Sequence, residues 1–267
     1  MHLESLLNKA MIKFISILLF PLLLLAACNK DVPPPLDPDG PSVFGYKMEL
    51  EDEFLLDIAE PSGLSWAINH KDLIVVDDRT NKAYIIDVHG KQLSEFPYSG
   101  DDTEGVTLGE ANNSIWIAEE AESKLIELNT SGNEVHSYKI DVNRGSKKKG
   151  LEGLTYDSNE KMFYILNEAE PGLLIKWTID GGIQSETQLH FAQDYSGIFF
   201  DNADQSLWIV SDQSQKLFYC DKNGLVKQSF DLGFPKAEGV VVDHVNNKVY
   251  IVSDSERKLF IFKITKL

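Results

Sequence analysis

Glu238-Gly239-Val240-Val241-Val242-Asp243 ends a series that runs through Ser62-Gly63-Leu64, Glu104-Gly105-Val106, Glu152-Gly153-Leu154 and Ser196-Gly197-Ile198. The five glycines are 42, 48, 44 and 42 residues apart, and a period of that size in a strand-rich chain predicts a β-propeller. Outward from each glycine, short β-branched or aromatic runs alternate with Asn, Asp and Gly, the pattern of strands joined by tight turns. The first repeat reads GLSW, LIVVD, AYIID and KQLSEFPY, and the fourth reads GIFF, LWIVS, KLFYC and LVKQSFDL. Four strands per repeat make one blade. The fifth repeat has only GVVV, VYIVS and LFIFKI before Leu267, so its fourth strand is expected from Tyr46 to Leu56, YKMELEDEFLL. The expected fold is all-β: a five-bladed β-propeller of four-stranded antiparallel blades, its ring closed by an N-terminal strand.

The first residues belong to another kind of segment. Lys9 and Lys13 precede the apolar run Ile15 to Leu25, and Leu25-Ala26-Ala27-Cys28 follows it. That is the order of a secretory signal with small residues at its cut, and the run is short for a membrane span. Leu-Ala-Ala-Cys resembles the lipobox of bacterial lipoproteins, which implies lipidation of Cys28. Residues 29–42, NKDVPPPLDPDGPS, carry five prolines and suit an extended spacer. The expected organisation is a signal over 1–27, a tether over 28–42 and the propeller over 43–267. Cys220 is the other cysteine and lies in an alternating apolar stretch, where it reads as a small packed residue.

The chain has 25 Lys and Arg against 42 Asp and Glu, a formal charge of −17. Residues 1–27 hold Glu4, Lys9 and Lys13 and so carry +1, which leaves −17 − 1 = −18 on the mature chain. Such a surface repels nucleic acid and favours cations, cationic ligands or a basic partner.

Strand direction alternates within a blade, so the start of the first strand and the end of the second share one face of the disc. Two acidic sets meet there. Asp78, Glu120, Glu168, Asp212 and Asp254 close the second strands, and four of them are followed four residues on by Lys82, Lys124, Lys216 and Lys258. A feature present in every blade is expected to serve blade construction, as a turn acceptor or a lysine partner. The set before each glycine varies between repeats: Ser62, Glu104, Glu152, Ser196 and Glu238. Three carboxylates held near one axis repel unless a cation or solvent neutralises them. Calcium suits that ring, because it takes six to eight oxygens at about 2.3–2.6 Å from mixed donors. The expected metal ligands are Glu104, Glu152 and Glu238, with Ser62 and Ser196 as neutral oxygens. The same glutamates could instead lock neighbouring blades by accepting backbone N–H bonds. Arg144-Gly145-Ser146-Lys147-Lys148-Lys149-Gly150 lengthens one period at this face. Lys147 and Lys148 there are either solvated or hold an anionic ligand.

The chain lacks a G-x-S-x-G elbow, an H-E-x-x-H pair and a G-x-x-x-x-G-K loop. Its histidines fall mainly near turns and lack ligand spacing. LEGLTYD followed by FYILNE, and AEGVVVD followed by VYIVSD, together with the leader, resemble the SdiA-regulated (YjiK-like) family of bacterial envelope proteins over residues 46–267. The resemblance implies a propeller and no established reaction. More distantly, the Glu-Gly start of an inner strand is similar to the calcium-dependent gluconolactonase and phytase-like propellers. That likeness implies Glu104, Glu152 and Glu238 as ligands, although those enzymes have six blades and no distinct general base is identifiable here. The expectation is a monomeric, lipid-anchored envelope module, on the outer rather than the inner membrane, binding calcium at one channel mouth and an unidentified small molecule or protein. A calcium-dependent hydrolase of lactones or phosphoesters at the same site is the alternative, so enzyme activity stays open.

Overall fold

The alternating runs fold into twenty strands in the computed structural model, which describes residues 45–142 and 150–267. The expected signal, the tether, Cys28, Lys147 and Lys148 lie outside the described residues. Strand β1 (Tyr46–Leu55) leads into the first blade, β2 (Pro61–Trp66), β3 (Leu73–Asp77), β4 (Lys82–Ile86) and β5 (Gln92–Ser99). The second holds β6 (Thr103–Leu108), β7 (Ser114–Glu119), β8 (Lys124–Asn129) and β9 (Glu134–Lys139), and the third β10 (Leu151–Asp157), β11 (Met162–Asn167), β12 (Leu173–Thr178) and β13 (Gly182–Gln188). The fourth is β14 (Gly197–Asp201), β15 (Ser206–Ser211), β16 (Lys216–Asp221) and β17 (Val226–Asp231). The fifth is β18 (Ala237–Asp243), β19 (Lys248–Ser253) and β20 (Lys258–Lys266), with β1 as its outermost member. Five antiparallel four-stranded sheets therefore form the five-bladed propeller that the period predicts, and the N-terminal strand closes it.

Burial follows position in the blade. The second strands β3, β7, β11 and β15 are continuous apolar runs covered on both faces, whereas outer β9 and β13 are largely exposed. The apolar side chains gather into five layers, each between two adjacent blades. Cys220 is buried in the layer between the third and fourth blades, as its alternating context predicts, and burial raises its thiol pKa. No helix of the described residues is long and apolar enough to cross a membrane.

The repeated glycine answers to crowding at the axis. A methyl group on Gly197 would collide with the Glu238 carbonyl oxygen, and one on Gly105 with that of Glu152, each in the next blade. Beyond the glycines the channel shrinks to about 10 Å³, filled by Leu64, Val106, Leu154, Ile198 and Val240. The disc is thus sealed, and its two mouths are separate. Gly197→Ala should lower stability by roughly 1–3 kcal/mol, the usual cost of forcing a methylene into a packed site, read as a drop in the circular dichroism melting temperature. An unchanged melt would show that the neighbouring blades can part at no cost.

Candidate functional site

At the entry of β2, β6, β10 and β18 the pairing register slips, between Pro61 and Leu64, Thr103 and Gly105, Leu151 and Leu154, and Ala237 and Gly239. A bulge kinks its strand and re-aims a side chain that the pleat would otherwise direct elsewhere. In each slip the residue before glycine lies at the mouth. Backbone bonds then bring the second-strand ends alongside. The N–H of Asp78 donates to the Glu60 carbonyl (3.1 Å), that of Glu120 to Asp102 (2.8 Å), that of Glu168 to Gly150 (3.1 Å) and that of Asp254 to Lys236 (3.0 Å). Each acceptor stands two residues ahead of the ring residue in its own blade.

The result is a cavity of about 130 Å³ lined by Ser62, Asp78, Glu104, Glu152, Glu168, Asp194, Ser196, Asp212, Lys236, Glu238 and Asp254. The whole set before the glycines lines it, with Asp78, Glu168, Asp212 and Asp254 of the second-strand acids. Glu104 is the hub: one carboxylate oxygen each from Asp78, Asp102 and Glu104 lie within 4.8 Å of one another, as do oxygens from Glu104, Glu120 and Glu152. Ser62 hydrogen-bonds to Glu104 and Ser196 to Glu238, each reaching towards the next blade's glutamate. Lys236 stands on the other side of the mouth, 3.0 Å from Asp212 and 3.8 Å from Glu238.

Crowding shifts these acids in one direction. Burial, followed by the charges of Asp78 and Glu238, pushes Glu104 well above the usual carboxylate range. Burial, followed by Glu104 and Glu120, does the same to Glu152. Burial is also the leading cause that raises Glu238 to about 8, Glu120 to about 7 and Asp78 to about 6. Burial works against the Lys236 ammonium, yet Asp212 and Glu238 more than offset it and its pKa rises. An anionic cluster of this kind reaches low energy by taking up protons or a cation.

All five residues before the glycines reach the cavity, but they are not equivalent. Glu104 and Glu152 share a triple, while Glu238 stands outside both triples and beside Lys236. The construction role expected of the second-strand acids gives way to a different arrangement. The turn acceptors are the residues one place earlier: Asp77 accepts the Thr80 N–H (3.1 Å), Ser211 that of Ser214 (3.1 Å) and Ser253 that of Glu256 (3.3 Å). Lys82 meets Glu95 and Lys258 meets Glu53 on outermost strands, while Lys124 meets Glu122 within its own turn. Asp212 and Glu120 do accept backbone N–H groups, from Lys236 (2.9 Å) and Gly150, which tie them to the next blade. Asp78, Glu120 and Asp102 are therefore members of the acid cluster that the sequence reading left aside. Asp78 and Glu120 were signalled by their face, and Asp102 by lying two residues before Glu104.

A family profile described as SdiA-regulated matches residues 41–263. No curated protein matches the chain in sequence. Among solved structures, glutaminyl cyclase from Myxococcus xanthus is 11% identical, with a TM-score of 0.63 over 82% of this chain and 97% of that one. A gluconolactonase from Xanthomonas campestris is 10% identical, with a TM-score of 0.54 over 81% and 99%. A streptogramin B lyase is 18% identical, with a TM-score of 0.47 over 83% and 72%. At these identities the likeness to the cyclase and the gluconolactonase is one of fold alone.

Proposed function

The chain belongs to the SdiA-regulated family, and we propose that it works as a binding module which takes calcium at its acidic mouth and presents that mouth to a ligand or partner protein. One observation carries this reading: Glu104 is shared by two triples of carboxylates, with Asp78 and Asp102 on one side and Glu120 and Glu152 on the other. Lys236, the basic residue among the described lining of the cavity, is engaged by Asp212 and Glu238. Oxygen donors of mixed reach in an irregular cage fit calcium better than magnesium, which demands near-octahedral geometry at about 2.0–2.1 Å. Glu104 and Glu152 would hold the ion, Asp78, Asp102 and Glu120 would complete the cage, and the Ser62 hydroxyl would orient Glu104. Lipidation at Cys28 and the prolines of 29–42 would hold the disc off an envelope membrane, outer rather than inner, with the mouth free to engage its partner.

The test is calorimetric titration of chelator-stripped protein with calcium chloride, paired with thermal melts. At a hundredfold excess over the dissociation constant a bound ion stabilises by about 2.7 kcal/mol, and at roughly 2–4 °C per kcal/mol the melt should rise by about 5–10 °C. Glu152→Gln should weaken calcium at least about tenfold, and Glu238→Gln less, because Lys236 already stands beside Glu238. Absence of both heat and thermal shift in the wild type overturns the reading. Calcium-dependent turnover of a lactone by the same sample would replace the module with a hydrolase.

A further inference from the structure

The opposite mouth has a different chemistry. The far ends of β2, β6, β10 and β14, with the turns that follow them, enclose a hollow of about 390 Å³ on the other side of the apolar plug. Among the described residues that line it there is no Asp, Glu, Lys or Arg, in a chain that is 25% charged. Trp66, Tyr156 and Phe199 supply half-buried aromatic surface, and buried Ser65, Thr107 and Thr155 set hydroxyls among them. Thr155 Oγ1 accepts the Phe200 N–H at 2.9 Å, which leaves its own proton available to donate. At the rim the Asn112 amide lies 2.8 Å from His70 Nε2, and Ser158 donates to Asn202 at 3.3 Å.

The hollow continues sideways. Ala111 and Tyr156 also wall a neighbouring depression of about 440 Å³ that runs over Trp116 and Phe163. In that depression Glu110 is paired with Lys161 (2.6 Å) and Glu127 with His136 (2.9 Å), so its acids already have partners. Ala111 holds a left-handed backbone at φ 51° on the shared wall, a conformation that costs an alanine roughly 1–2 kcal/mol. Two contiguous hollows in the size range of roughly 300–1,000 Å³ make room for a ligand longer than one ring.

We propose that this mouth binds a neutral saccharide chain. A pyranose presents a face of C–H bonds, which the electron-rich faces of Trp66 and Tyr156 attract, and an edge of hydroxyls for the Ser, Thr and Asn groups. The first hollow, whose described lining holds no Asp, Glu, Lys or Arg, gives a carboxylated or aminated ligand no partner to offset its desolvation, and Glu110 and Glu127 of the neighbouring depression are already paired. A purely apolar guest would give the Thr155 hydroxyl proton no acceptor.

The test uses cellotetraose, chitotetraose and maltotetraose as neutral probes and tetragalacturonate as the charged control. Trp177 and Trp208 are 5% and 0% exposed and line neither hollow, so the emission change reports on Trp66 in the main hollow and on Trp116 beneath the neighbouring depression. At least one neutral tetrasaccharide should change the emission saturably, tetragalacturonate should not, and calorimetry should give the same dissociation constant. Tyr156→Ala should weaken that binding at least tenfold, and Trp66→Ala should abolish the calorimetric signal while Trp66→Phe restores part of it. Matching circular dichroism melts establish that each variant is folded. Glu152→Gln should bind the saccharide unchanged, which separates this site from the acidic mouth. Failure of all three neutral probes, a preference for tetragalacturonate, or unaltered affinity in folded Trp66→Ala and Tyr156→Ala overturns the proposal.

Discussion

In chelating buffer the melting temperature should rise when the pH is lowered from about 8.5 to about 5.5, the reverse of ordinary acid destabilisation of a protein rich in paired carboxylates. Glu238, Glu120 and Asp78 are raised to about 8, 7 and 6, and burial raises Glu104 and Glu152 well above the usual carboxylate range too. Their unfolded values are the ordinary carboxylate ones of about 4–4.5. Over this window the folded chain binds more protons than the unfolded chain, so stability falls as pH rises through the folded values. Saturating calcium should remove most of that slope, because the ion neutralises the carboxylates that would otherwise take up protons. Glu104→Gln combined with Glu152→Gln should flatten the profile without calcium and abolish the calcium response. General repulsion at a net charge of −17 has the same sign, and the double variant separates the two because it changes the total by only two charges. A wild-type profile that falls on acidification, measured by melts at constant ionic strength, would show that the cluster is not desolvated as its geometry implies.

The fold was legible because its constraint is local and repeated. A glycine that must let the Glu238 carbonyl pass leaves the same mark in every blade, and the Glu104 and Glu152 positions stand out against it. The second-strand acids were harder to read. Asp78 stands next to Asp77 in the same strand-end run, and only the hydrogen bonds distinguish the turn acceptor, Asp77, from the residue facing the mouth. The lysine four residues after four of these acids suggested a partner, yet for Lys82 and Lys258 the outer-strand acids Glu95 and Glu53 take that place from positions no local pattern connects. The aromatic mouth left no motif at all, since Trp66 and Tyr156 lie about two periods apart and Tyr156 and Phe199 about one, and they meet only when the ring closes.

Deleting residues up to Leu56 should abolish cooperative folding, the largest effect expected of any change here. Strand β1 pairs with β20 from Tyr46 opposite Lys266 to Leu55 opposite Lys258, and it is the sole piece of the fifth blade drawn from the other end of the chain. The joint extends beyond that ladder. Buried Tyr46 packs 5.3 Å from Trp208 and 5.5 Å from Tyr219 in the fourth blade, and its backbone N–H and carbonyl both bond to the Gln228 side chain, at 2.8 and 2.7 Å. At the strand's other end the Leu56 N–H donates to Arg257 (2.8 Å), and Arg257 Nε donates to the Ile58 carbonyl (3.1 Å) on the way into the first blade. Without β1 the edge of β20 is bare, and two blade interfaces lose their fastening at once. The point variant Tyr46→Ala keeps the strand and tests the packing alone. Loss of a buried aromatic costs about 3–5 kcal/mol, equivalent to a fall of roughly 10 °C for a domain of this size. Cooperative melting of the truncated chain at the wild-type temperature would mean that the four remaining blades and the open fifth hold the ring without a closing strand.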